Sequence, residues 1–169
     1  MIFLTSCLSE KEHISLKEEE ELEENLLFNS GKNYYFSSLN FDLDPAKARN
    51  AINKFNQFVK KYPQSSKVKE AYSMLHDLLK KIEKKNYCIA DSYFLMGRYK
   101  TSLKFFQDLI QYFPESRFKE KILYKICISQ FFLSRKKDFF KSYNEYMKHF
   151  SYHIHAKKLK MLYKKLKKL

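Results

Sequence analysis

Four residues near the start, Leu4-Thr5-Ser6-Cys7, have the types and order for covalent chemistry. An apolar residue followed by two small ones suits a peptide bond that must enter a protease cleft, and the thiol of Cys7 is a nucleophile able to take a diacylglycerol group. This is the pattern of a bacterial lipobox. The apolar run before it is short and has no Lys or Arg ahead of it, whereas a secretory signal carries a charged start and about 7–15 apolar residues. Lipidation is expected at Cys7, with either a start upstream of Met1 or a decayed signal.

Little else in the chain has catalytic spacing. The histidines His13, His76, His149, His153 and His155 show no metal-ligand spacing with carboxylates or thiols. His153 and His155 would face different sides of a helix, so surface histidines are expected and no metal or cofactor. Cys88 and Cys127 fall in no Cys-x-x-Cys or Cys/His pattern and are expected to be buried, inert thiols on helices. With two glycines there is no Gly-rich phosphate loop, and no nucleophile sits in a recognisable elbow, which argues against an enzyme.

The net charge of +14 raises the question of nucleic acid, since phosphate neutralisation needs such an excess. Only Arg49, Arg98, Arg117 and Arg135 are arginines, however, and the other 29 of 33 basic residues are lysines. Arginine is the better bidentate partner of phosphates and base edges, so this composition argues against a nucleic-acid surface. The charge is also uneven. Eight glutamates crowd residues 10–24, while from Lys119 onward fifteen basic residues face three acidic ones.

The elements are those of a helical repeat. In the segment from Gly97 to Pro114, Gly97-x-Tyr99 is followed by Ser102, Phe106, Leu109 and Pro114. Glycine permits a tight interhelical turn, a small residue lets helices approach, the two apolar residues fill the groove, and proline stops the helix. Ala51, Phe55, Phe58 and Pro63 repeat the spacing upstream, and both copies run on through Pro-x-Ser to Lys-Glu with one residue of slack. A weaker third copy is Phe139, Tyr143, Tyr146 and Ser151. With 44% apolar residues and few helix breakers, the expected fold is all-α. It is read as a tetratricopeptide-like right-handed helical solenoid of about three helical hairpins with one long connecting helix.

The expected division is a lipobox remnant and acidic segment over 1–20 and a repeat domain over 21–169. A first helix covers about Ser15 to Phe36, with Leu22, Leu26, Leu27, Gly31, Tyr34 and Tyr35 on its apolar stripe. Asp44 caps, and Pro45 opens, a second helix to about Lys61. A long helix between Pro63 and Gly97 carries Val68, Ala71, Tyr72, Leu75, Leu79, Ile82, Ile89, Ala90, Tyr93 and Met96. It absorbs the excess of a 51-residue repeat spacing over the usual 34 or so. Further helices follow at about 99–112, 117–133, 136–149 and 153–168. The last has Leu159, Leu162, Tyr163, Leu166 and Leu169 on one stripe and seven lysines elsewhere. It is read as a cap on the repeats in preference to a membrane-surface helix.

The ordered Asp42-Leu43-Asp44-Pro45 loop, the Phe-x-x-Phe-x-x-x-Tyr-Pro-x-Ser helix end, the over-long connecting helix, and Gly97-x-Tyr99 with a second Phe-Pro-x-Ser resemble the BamD (YfiO) family. These are tetratricopeptide lipoproteins of the outer-membrane β-barrel assembly machinery. The resemblance covers roughly Leu26 to Leu169, most sharply Asp42 to Arg117. It implies a non-enzymatic scaffold in the cell outer membrane, lipid-anchored at the periplasmic face, docking to the POTRA domains of the barrel-forming partner. Unfolded outer-membrane proteins are a further implied partner. The family's front repeats, associated with recognising incoming substrates, are expected to be missing or compressed into Ser9 to Glu24. For docking, the expected residues are Arg98, Tyr99, Lys100, Lys104 and Arg117, since Arg and Tyr are enriched at interface hot spots. The alternatives are another envelope tetratricopeptide protein of cell-division or Tol-associated type and, ranked behind it, a basic nucleic-acid-binding helical protein.

Overall fold

The computed structural model describes the backbone of residues 4–40 and 42–168 and the side chains of 16–40 and 42–168. The lipobox residues Leu4 to Cys7 therefore lie outside the residues described at side-chain level, as do His13, Phe41 and Leu169. Seven helices follow one another, with no strand among the described residues. They are α1 (Leu4–Ser38), α2 (Pro45–Lys61), α3 (Val68–Leu95), α4 (Tyr99–Tyr112), α5 (Lys119–Phe132), α6 (Lys136–Phe150) and α7 (Ile154–Lys167). The architecture is the tetratricopeptide-like one expected. The packing groups into two compact units, Met1–Lys81 and Ile82–Leu169, which divide within α3.

In the first unit, α1 presents Phe28, Gly31, Tyr35 and Ser38 inward, at helical spacing. Leu22 and Leu26, expected on that stripe, are exposed instead. Phe28 packs its ring 5.1 Å from Phe58 and 6.2 Å from Phe55, and both α2 rings are fully buried. The acidic front is partly consumed internally. Glu23 pairs with Lys61, and Glu24 accepts hydrogen bonds of 2.8 Å from both Ser65 and Lys67. The α1–α2 connector closes as expected. Asp44 accepts from the amides of Ala46 and Lys47 at 2.9 and 3.2 Å, with Pro45 in the first helical turn where its missing N–H costs nothing.

Proline ends α2 and α4 by the same mechanism. It pushes the residue before it out of the α region, leaving Tyr62 at φ −123° and Phe113 at φ −129°. Ser151, which stands in place of the third proline, keeps α-helical dihedrals. After each proline the backbone bonds repeat at an offset of 51. Ser65 and Ser116 each accept from the amide two residues on, and the amides of Ala71 and Ile122 donate to the carbonyls of Lys67 and Phe118. The register is therefore strict. The one residue of slack inferred from the Lys-Glu words is not present in the structure, because Lys69 corresponds to Glu120.

In α3 the inward residues are Ala71, Leu75, Leu78, Glu83 and Ala90. Tyr72, Leu79 and Met96 are exposed, so the stripe runs through Leu78 where Leu79 was expected.

The second unit packs around Phe106, Leu109, Ile122, Cys127, Phe139, Tyr146 and Leu159. Small Ser102 lets α4 approach α3, and its hydroxyl donates 3.0 Å to the Ala90 carbonyl. Cys127 is buried as expected, and burial pushes its thiol up to about 12. Cys88 is exposed, which corrects the expectation for it: it lies on the outer side of α3, two residues from buried Ala90. Helix α7 buries Ala156 and Leu159 and stacks Tyr163 on Tyr143 at 4.4 Å, with its lysines outward. It caps the unit, as read from its stripe. No helix among the described residues is long and apolar enough to cross a membrane.

Candidate docking surface

Two turns in the second unit have the same backbone. Gly97 at φ 71° and Ser134 at φ 57° both occupy the left-handed region. In each turn the amide of the next residue, Arg98 or Arg135, donates 2.9 Å to the carbonyl five residues back, Tyr93 or Gln130. The amide of the left-handed residue itself bonds three residues back. This is a Schellman closure of α3 and of α5. Only glycine reaches that φ without a steric penalty, so Ser134 marks a glycine position filled by serine.

Side-by-side turns bring together side chains from four helix ends. Tyr99, at the start of α4, stacks on Phe132, at the end of α5, with ring centres 4.6 Å apart and planes 8° apart. Phe94 meets the edge of Tyr99 at 5.5 Å. Around this aromatic pair, Leu95 is 78% exposed, Met96 66% and Phe132 57%. Arg98, Lys100, Arg135, Lys136 and Lys137 are exposed at the same turns, and no carboxylate occurs between residues 92 and 107 or between 121 and 137. An apolar centre with a cationic rim is the composition of an interface that meets an acidic, partly apolar partner.

Of the docking residues expected from sequence, Arg98, Tyr99 and Lys100 fall in this cluster. Lys104 lies one helical turn further along the same side of α4 and is exposed. Tyr99 is half-buried and holds the two turns together, so it positions the surface as well as contributing to it. Arg117 is not brought to the cluster. It sits in the α4–α5 turn, the far end of a 14-residue helix that is about 20 Å long at 1.5 Å per residue, with its guanidinium 4.7 Å from the Phe118 ring. Sequence reading missed Leu95, Met96, Phe132 and Arg135. The signal for them was the Ser134-Arg135 pair at the position of Gly97-Arg98.

Behind this surface, Lys125 of α5 pairs with Asp91 of α3 and lies 5.2 Å from the Phe94 ring centre. Burial pushes its amine below the usual lysine value, and the carboxylate and rings around it offset only part of that desolvation. The pair clamps α3 to α5, which sets where their ends emerge.

A second cluster lies at the other end of α5. His153 is the residue before α7, with extended backbone, and His155 is in its first turn. Both therefore reach one side, contrary to the expectation that they diverge. Their Nδ1 atoms stand 3.4 and 2.8 Å from Glu120 Oε1. The Tyr146 hydroxyl donates 2.5 Å to that oxygen. Burial works to raise the Glu120 carboxyl, but the hydrogen bond from Tyr146 and the contacts with His155 and His153 outweigh it, and the net direction is down.

The profile of YfiO, described as an outer membrane lipoprotein, matches residues 23–123. The chain belongs to the YfiO family of outer membrane lipoproteins. The matched span runs from the middle of α1 into α5, and so includes Gly97, Arg98 and Tyr99. Phe132, Arg135 and the whole of α6 and α7 lie beyond it. A search of curated proteins finds none that matches.

Proposed function

We propose that this chain is a non-enzymatic scaffold subunit of the outer-membrane β-barrel assembly complex, docking to the POTRA-containing barrel subunit and supporting insertion of outer membrane proteins. On this reading, acyl chains on Cys7 hold it at the periplasmic face of the outer membrane, and neither a cofactor nor nucleic acid takes part. Membership of the YfiO family supports the assignment. The observation that carries the docking surface is the exposed Leu95, Met96 and Phe132 beside Arg98 and Arg135. Truncating one such anchor in an interface commonly costs about 2 kcal/mol or more of binding.

The test is capture from detergent-solubilised envelope membranes with the acylated chain as bait. A barrel protein bearing POTRA domains is the expected prey. Arg98→Glu with Arg135→Glu should reduce its capture at least several-fold, since both charges then oppose their acidic partners. Arg117→Glu, tested separately, reports on the far end of α4. Undiminished capture by a folded Arg98→Glu/Arg135→Glu protein removes the Gly97 and Ser134 end from consideration, and absence of any POTRA protein overturns the assignment.

A further inference from the structure

We propose that Glu120, His153 and His155 form a binding site for a divalent transition-metal ion of the zinc type, one that clips α7 onto α5. Each offers one ligand atom, a carboxylate oxygen or an imidazole nitrogen, and these three atoms all lie within 4.8 Å of one another. Zinc binds imidazole nitrogen and carboxylate oxygen at about 2.0–2.2 Å. Ligand atoms around a tetrahedral ion are then roughly 3.3–3.6 Å apart; the 3.4 Å between His153 and Glu120 already falls in that range, and the 2.8 Å between His155 and Glu120 must open slightly. Small rotations of the two imidazoles bring the three atoms to that spacing.

The chemistry of the cluster favours a cation over hydrogen bonds alone. Glu120 Oε1 is approached by three groups, the Tyr146 hydroxyl and the two imidazoles, yet an oxygen has two lone pairs. The His153 contact, at 3.4 Å, is the one left poorly made. A metal ion collects both nitrogens and the oxygen at once. Neighbouring side chains already hold two of the three ligands in place. Tyr146 is fully buried and fixes Glu120, while the Tyr124 ring stacks on His155 at 4.1 Å and 15°.

Two imidazoles and a carboxylate are the donor set of borderline ions such as Zn²⁺, whereas Mg²⁺ and Ca²⁺ take oxygen ligands. His153 also lines a groove with Ser151, Ala156, Lys157, Lys160 and Lys164, the side from which solvent would supply a fourth ligand. The three lysines of that groove oppose a cation and hold the affinity to a moderate range.

The test is titration of the tag-free full chain with ZnCl₂ by calorimetry, with melting temperature and the Co²⁺ ligand-field spectrum as further readouts. One ion per chain is expected, reversed by EDTA, with a raised melting temperature and a tetrahedral Co²⁺ spectrum. His153→Ala, at an exposed position outside the helix, should fold and weaken binding at least tenfold. His155→Ala should do the same, while His149→Ala should leave it unchanged. Absence of saturable binding by the unaltered chain overturns the site, and so does equal affinity in the His153→Ala and His155→Ala proteins.

Discussion

Gly31 of α1 lies flat against the ring of Phe55 of α2: a β-carbon on Gly31 would sit 2.8 Å from Cε1 and 2.9 Å from Cδ1 of that ring. The Phe55 ring is fully buried and packed by Phe28 on another side, so it has no room to retreat. Alanine in a helix is favoured over glycine by about 1 kcal/mol, but overpacking of this kind costs about 1–3 kcal/mol. Gly31→Ala is therefore expected to lower stability by roughly 1 kcal/mol net, read as a lower midpoint in urea unfolding. A raised midpoint would show that the helices can part there.

The two left-handed turns predict opposite outcomes for opposite substitutions. Gly97→Ala places a side chain at φ 71°, where no neighbouring atom is near but the backbone itself objects, and should cost about 1 kcal/mol. Ser134→Gly relieves the same penalty. It should stabilise the chain by about 0.5–1 kcal/mol, the gain being trimmed by the greater freedom of an unfolded glycine. Thermal melts of the two proteins against the unaltered chain decide the point.

Phe106, with none of its surface exposed, anchors the second unit, and Leu159 joins the same core from α7. Phe106→Ala should cost about 3–5 kcal/mol and Leu159→Ala about 2–5 kcal/mol. A near-neutral Leu159→Ala in chemical unfolding would mean that α7 does not share the core.

Tyr35 donates 2.6 Å to Asp77, and the pair makes the first unit sensitive to pH at both extremes. The bond from Tyr35 holds the Asp77 carboxyl below its usual 3.8 against the opposing effect of burial. That contribution is present at neutral pH and is lost as pH falls through the lowered value. Burial first, and then the carboxylate, push the Tyr35 phenol from 10.0 up to about 12. Its contribution is complete below pH 10.0 and declines toward 12, where the unfolded chain has released a proton that the folded chain keeps. Tyr35→Phe should lose less stability than the unaltered chain over that alkaline window, measured by circular dichroism in urea. Parallel losses would dismiss the coupling.

The helix boundaries were legible wherever proline or glycine sets the backbone: α2 and α4 begin and end where their punctuation places them. Burial of Phe55, Phe58, Phe106 and Leu109 also followed from spacing alone. The inward choice between Leu78 and Leu79 did not, since neighbours on a helix differ by about 100° and packing selects one. The proposed docking surface was half legible. Arg98 and Tyr99 carry a glycine beside them, but Phe132 and Arg135 are signalled by a serine in a glycine's conformation, which composition hides. The Glu120 cluster was illegible because helical periodicity does not apply to His153, whose backbone is extended, and because Glu120 is 33 positions earlier in the chain.

The burial of Cys127 offers a clock. Its thiolate is suppressed and its sulfur is closed off by the core, whereas Cys88 faces solvent. A maleimide dye added to the native chain therefore marks position 88 at once and position 127 only when the second unit opens. In the purified chain, with Cys7 acylated and the dye concentrated enough to outpace reclosing, the growth of label at position 127 relative to position 88 gives the opening rate of that unit.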